Sequence, residues 1–250
     1  MWSQFVCALT FLTIIRLPFH HPRSVTSQEL AQSFAFFPVI GLVIGALSFL
    51  LTFFLAPWMP PLLLAVVLTA AMTMLTRALH LDGLADLIDG VGGGYTRERR
   101  LEIMKDSRTG AFGALALFLA LIFKVAAFNT FILQASWAPF LFVPALSRYA
   151  MALAAYKSPY ARAEGGLGKP FLEHITNREL LISSGFALAI TLALARFYSP
   201  LYLLCLVIIV SLLRRSTRRA LGGITGDVLG AVNELVEVAL FTLAACLPPH

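Results

Sequence analysis

The chain has 250 residues, of which 59% are hydrophobic and 13% charged, and its mean hydropathy is +0.83. Soluble domains average about 25% charged residues, so this composition excludes a soluble globular enzyme and points to one all-α, polytopic membrane domain over residues 1–250. The net charge of +6 does not signal nucleic acid: 15 of the 19 Lys and Arg fall in 16–33, 80–110, 157–179 and 214–233, while the turns near 57–60 and 134–137 have none. That asymmetry is the positive-inside pattern, which places the four basic segments in the cytoplasm.

Residues 1–15 are apolar but too short to span, and Arg16 and Pro18 close them, so an interfacial or re-entrant helix is expected. Nothing in this N-terminus has the basic start or cleavage site of a signal peptide. Ser27 is the expected N-cap of the next helix. The first span, 34–56, carries Pro38 and a Gly41-x-x-x-Gly45 pair suited to close helix contact. Pro57, Pro60 and Pro61 turn the chain outside, and a second span at 61–79 brings it back. Gly92-Gly93-Gly94 breaks the chain, and Thr96 caps a short helix at 97–105, with Leu101 and Met104 inward and the basic residues outward. Spans at 111–133 and 138–156 form a hairpin around Ser136-Trp137. A long loop at 157–179 precedes short spans at 180–195 and 201–213, and Arg214, Arg215, Arg218 and Arg219 mark their inner boundary. The last helix covers about 231 to 247. About seven transmembrane helices result, with the N-terminal helix additional. Cys7, Cys205 and Cys246 lie in apolar stretches and read as packing residues.

Four of the five aspartates lie between Leu79 and Gly113. Asp82, Asp86 and Asp89 stand at i, i+4 and i+7, on one face of a helix. Three acids ending the second span would oppose the helix dipole, so a compensating cation is expected, most simply Mg²⁺. Asp106, between Lys105 and Arg108, is either a surface ion-pair cluster or a metal ligand or base, with Glu102 one turn before it. Asp227 is either a plain N-cap or a member of the same site, and Asn233, Glu234 and Glu237 come after it. Arg148, inside a span, requires a carboxylate or a substrate phosphate. Lys124 and Arg77 must pair or reach an interface. His80 is either a packed histidine or a ligand, and His20, His21, His174 and His250 form no pattern. Tyr160, Arg162, Glu164, Gly165 and Gly168 suit a ligand-gripping loop, although a positive-inside loop explains the bases equally well. No GxxxxGK[ST], GxSxG or HExxH occurs, so metal-assisted chemistry on a phosphate ranks above catalysis by Ser or Cys.

HLDGLADLIDG, LEIMKDSRTGAFG, SRYAMA, YARAEGGLG and LGGITGDVLGAVNELVE resemble, in order and from about residue 8 to 245, the successive motifs of cobalamin synthases, the adenosylcobinamide-GDP ribazoletransferase family. The resemblance implies a multi-pass protein of the bacterial inner membrane with its active site on the cytoplasmic side. It implies joining of adenosylcobinamide-GDP to α-ribazole or its 5′-phosphate, release of GMP, and a requirement for Mg²⁺. The expected metal ligands are Asp82, Asp86 and Asp89, with Asp106 or Asp227. The expected substrate contacts are Lys105, Arg108, Arg148, Arg162, Glu164, Asn233 and Glu234, with Asp106 or His80 taking the proton of the attacking ribose 3′-hydroxyl. Membrane lipid and a second copy of the chain are further expected partners, and nucleic acid is not. DGLAD is similar to the start of the DGxxAR signature of CDP-alcohol phosphotransferases, but Asp86 stands where that signature has Arg, and its downstream GxxxDxxxD is absent. Gly165-Gly166 carries one glycine more than the family's EGLG form. Two other readings stay open: a cation transporter built on the carboxylates, and a lipid-directed phosphotransferase.

Overall fold

Thr26, not Ser27, starts the first long helical segment. Its hydroxyl accepts from the Glu29 amide, and the Glu29 carboxylate accepts from the Thr26 amide, a reciprocal capping box. Thr26 has an acid three residues on and Ser27 does not, which sets the register. The computed structural model describes residues 1–17, 25–166 and 168–248; Pro18, His20, His21 and His250 lie outside them. The regular structure of the described residues is helical, with one isolated β-bridge between Tyr160 and Ile224. After α1 (Trp2–Leu12), α2 (Ser27–Gln32) passes through a single 3-10 turn into α3 (Phe37–Leu55). Gly41 and Gly45 on α3 meet the backbone of α8 (Ala138–Ala155), where a Cβ would collide with the carbonyl oxygens of Pro144 and Phe140. The GxxxG pair therefore acts as a contact surface between helices.

The second expected span breaks. α4 (Pro61–Leu75) ends at Arg77 and Ala78, both left-handed with φ of 54° and 53°, and α5 (Leu79–Gly93) leaves at 88° to it. Asp82 therefore lies in the first turn of α5, where the helix dipole favours a negative charge. This corrects the expectation that the aspartates end a helix and oppose its dipole. Two left-handed residues without glycine are costly, and α1 helps to hold them in place. The Arg77 guanidinium donates to the Phe11 carbonyl at 2.9 Å, and the Ile14 amide donates to the Leu75 carbonyl at 2.8 Å.

The chain continues through α6 (Arg97–Ile103), α7 (Ala111–Gln134), α8, α9 (Lys169–His174), α10 (Asn177–Ala195), α11 (Ser199–Leu221) and α12 (Gly226–Cys246). By length and composition five helical segments can cross a bilayer, 27–55, 111–134, 138–155, 177–221 and 226–246, or six with the bent α4–α5 pair as one. The sequence led us to expect seven. The 45-residue segment 177–221 folds back on itself, because the Ser199 hydroxyl donates to the Thr191 carbonyl eight residues earlier at 3.0 Å. Tyr156 also bonds both Asn177, at the start of α10, and Arg214, near the end of α11. The architecture is that of a polytopic membrane protein.

The bundle core holds an ion network. Lys124 on α7 donates to Glu234 at 2.6 Å and pairs with Glu237 at 2.9 Å, both on α12. Arg148 on α8 pairs with Glu237, which also accepts from the Ser147 hydroxyl at 2.9 Å. All four charged side chains are buried. Two cations and two anions leave the group neutral, so helices α7, α8 and α12 are clamped without a net charge in the membrane interior.

The basic segments converge at one end of the bundle. Arg97 donates to the carbonyls of Leu221 (2.8 Å) and Ala161 (3.0 Å), and Arg100 to those of Gly94 (2.9 Å) and Ala220 (3.1 Å). Arg97 and Arg99 face the surface as expected, but Arg97 and the half-buried Arg100 also cap the open carbonyls ending α11. Thr96 does cap α6, accepting from the Arg99 amide. The 157–166 loop docks beside residues 222–226 through Ala161 N–H to Ile224 O (3.0 Å) and Ile224 N–H to Pro159 O (2.9 Å).

Candidate active site

The start of α5 meets the start of α12 at this same end. Gly83 permits the approach: a Cβ there would lie 2.6 Å from the Asp227 carbonyl oxygen. Across the crossing, Gly230 packs against the His80 backbone. Thr225 is the N-cap of α12, accepting from the Val228 amide, so Asp227 is not the cap but lies in the first turn. Its carboxylate accepts from Arg162 at 2.6 Å and from the Thr225 hydroxyl at 3.3 Å. Gly165 and Gly166, with φ of 91° and 153°, give the loop carrying Arg162 a path that side-chain-bearing residues rarely take. The additional glycine of Gly165-Gly166 thus serves loop geometry.

A cavity of about 130 Å³ opens at the crossing. Asp82 and Asp227 line it with His80, and Phe11, Phe34, Phe37 and Phe171 form an aromatic wall. The wall is tightly built, with ring centroids 4.5 Å apart for Phe34–Phe37 and 4.9 Å for both Phe11–Phe171 and Phe34–Phe171. Asp86, half-buried one turn along α5, feels the negative charges of Asp82 and Asp227 and the positive charge of Arg162. Asp82 is exposed, and neither it nor Asp86 has a hydrogen-bond or ion-pair partner among the described residues. His80 is buried with both ring nitrogens unpartnered.

Other expected site residues have different occupations. Asp89 turns away from Asp82 and caps α7: its two oxygens accept from the amides of Gly110 (2.7 Å) and Gly113 (2.8 Å). Only glycine fits at either position, because a Cβ would strike that carboxylate. Asp106 is gripped by Arg108, with bonds of 2.7 and 3.0 Å to the guanidinium and 3.0 Å to the backbone amide. Hydrogen bonding to Arg108 lowers the Asp106 carboxyl to about 2, which makes it a weak base. Lys105 pairs with Glu164, whose carboxyl it draws below the ordinary range. Arg148, Asn233 and Glu234, expected to meet substrate, are buried in the core network instead. Glu234 is paired with Lys124, Asn233 donates to Glu234, and the expected phosphate contact of Arg148 is taken by Glu237. Among the described residues no three of His, Cys, Asp and Glu are placed so that they could hold a metal ion, so the five expected ligands are not gathered into one cage.

The aromatic wall was not legible in the sequence. Its four phenylalanines come from three separate stretches of a chain with 20 of them, and no local spacing links Phe11 or Phe171 to Asp82.

The chain is similar to known proteins over nearly its whole length. The cobalamin-5-phosphate synthase family model matches residues 4–245. A protein of Syntrophobacter fumaroxidans named adenosylcobinamide-GDP ribazoletransferase is 59% identical, over 99% of this chain and 100% of its own length. Proteins of the same name from Desulfitobacterium hafniense and Klebsiella pneumoniae are 40% and 36% identical, over 95% and 98% of this chain and 94% and 99% of their own lengths. No solved structure matches the chain.

Proposed function

The chain belongs to the cobalamin-5-phosphate synthase family of transferases acting in cobalamin biosynthesis, and on that premise we propose that it joins adenosylcobinamide-GDP to α-ribazole or α-ribazole 5′-phosphate and releases GMP. One observation carries the assignment of the site. Asp82 and Asp227 line one cavity at the basic end of the bundle, Asp86 lies one turn along α5 within reach of their charges, and Arg162, paired with Asp227, is the one ion-pair partner of the three among the described residues. Oxygen donors short of positive partners suit a hard divalent cation, and Asp82 and Asp227, with Asp86 beside them, would hold Mg²⁺ together with substrate oxygens, because no three of the described acids are grouped to hold it alone. When bound, the ion would offset charge on the pyrophosphate of the donor.

The chain's own residues bind, orient and move a proton. The aromatic wall receives the flat benzimidazole of the ribazole and leaves its ribose beside Asp82 and His80. His80, with two unpartnered ring nitrogens, takes the proton of the 3′-hydroxyl. The 3′-oxygen bonds to the phosphorus nearest the corrinoid, the P–O bond to the GMP phosphate breaks, and GMP leaves with that electron pair. Lys105, Arg108 and Arg162 hold phosphate oxygens by exchanging their resting partners Glu164, Asp106 and Asp227 for substrate. The basic end faces the cytoplasm and the protein resides in the inner membrane, in keeping with the positive-inside charge pattern.

The test is an assay of the purified protein in lipid with adenosylcobinamide-GDP and α-ribazole 5′-phosphate, with Mg²⁺ or with EDTA. The expected result is Mg²⁺-dependent cobalamin 5′-phosphate with equimolar GMP. Absence of GMP from a protein shown to be folded overturns the reading.

A further inference from the structure

Helix α11 presents one face that changes character along its length. Leu201, Leu204, Ile208 and Leu212 are 41%, 58%, 49% and 62% exposed, and they keep the helical spacing that continues into Arg215 and Arg219, both exposed. The apolar part faces outward over about three turns of a helix that can lie in the bilayer, and the arginines stand at its basic end. Beside them an open basin of about 540 Å³ is lined by Arg100, Leu212, Arg215, Ser216, Arg219 and Ala220. It adjoins a second basin of about 480 Å³ that Lys157, Arg214 and Arg218 share with the same two arginines. No acidic side chain lines either basin, and none of these bases is in an ion pair among the described residues.

The positive-inside rule explains bases at this end of the bundle. It does not explain two arginines in register with a lipid-facing leucine stripe, or Arg100 held across from them by its bonds to Gly94 and Ala220. We propose that this face binds an acidic glycerophospholipid, with its acyl chains along Leu204, Ile208 and Leu212 and its phosphodiester at Arg215 and Arg219. Charge complementarity selects an anion. The exposed Leu212 at the lip of the basin selects an amphiphile over a soluble phosphate, which would leave the apolar stripe unused. The site is formed by α11 and α6 and shares no residue with the carboxylate cavity, so it stands or falls apart from the transferase reading.

The test is native mass spectrometry of the full chain released from nanodiscs of phosphatidylcholine with an equal amount of phosphatidylglycerol. Wild type should retain phosphatidylglycerol in preference to phosphatidylcholine. R215Q/R219Q should lower that preference about 10- to 30-fold, from a factor of roughly five per arginine near an anionic surface. R215K/R219K should restore most of it, and R178Q, at the same end of the bundle, should leave it unchanged. Thermal unfolding midpoints show whether each variant is folded. Equal lipid preference in folded R215Q/R219Q and wild type overturns the proposal. So does equal loss in R178Q, or displacement of the lipid by millimolar inorganic phosphate, which would mark a site for a soluble anion.

Discussion

Two charged clusters sit on α12 two to three turns apart, and they are built on opposite plans. Lys124, Arg148, Glu234 and Glu237 are buried, balanced two against two, and paired across three helices. Asp82, Asp86 and Asp227 lie at the rim, three carboxyl groups beside the single positive charge of Arg162. A charge in the membrane interior has no water to fall back on, so its partners must come from the protein. At the rim an imbalance is tolerated, and it leaves carboxylate oxygens open to a cation and a phosphorylated substrate. Balance marks the cluster that holds the helices together, and imbalance marks the one that binds.

That contrast is open to direct test, beginning with the largest effect. Glu237→Gln removes the carboxylate paired with Arg148 and one of the two paired with Lys124, so it should cost about 3–5 kcal/mol of stability. Thermal unfolding in detergent measures this, and an unchanged midpoint would break the comparison. Asp82→Asn and Asp227→Asn should instead leave the midpoint nearly unchanged and lower GMP formation about 100- to 1,000-fold, the scale for losing one group that stabilises a transition state. Full activity in folded Asp82→Asn would falsify the site assignment. Asp89→Asn occupies the middle ground: it points an NH₂ group at one of two amides at the start of α7, at a cost of about 1–3 kcal/mol. Faster amide exchange at Gly110 and Gly113 should accompany that loss, while the Mg²⁺ dependence of the remaining activity stays as in wild type.

The smallest effects belong to the exposed pairs. Lys105→Ala should raise the KM for adenosylcobinamide-GDP several-fold with no change in unfolding temperature, because an exposed pair adds little stability. Asp106→Asn tests the choice of base. The Asp106 carboxyl is lowered from 3.8 to about 2. It is therefore ionised in both folded and unfolded chains across neutral pH, and its contribution fades only as pH falls toward 2. The pH–rate profile between about pH 5 and about pH 8 should keep its shape in this variant. A limb that vanishes would return Asp106 to the role of base and remove it from His80.

Much of the molecule was legible from local pattern alone. Apolar runs of spanning length, the basic segments between them, the Thr96 cap and the Gly41–Gly45 contact depend on neighbours in sequence, where helical periodicity is enough to place them. The motif-bearing segments also carried the family. Partner choice was not legible, because it is decided between segments far apart in the chain. Asp82, Asp86 and Asp89 share a helix face in sequence, yet Asp89 caps a helix that begins more than twenty residues later, and Asp227 joins Asp82 from the far end of the chain. The bend at Arg77–Ala78 likewise has no Pro or Gly to announce it, and contacts with α1 hold it. By itself the sequence determined that this chain is a helical membrane protein, which end of it is basic, and to which family it belongs, because composition and periodicity act locally. Only the tertiary structure decided which charges neutralise one another in the core and which stay open at the rim, because that depends on which distant side chains the crossings of α5, α7, α8 and α12 bring within reach.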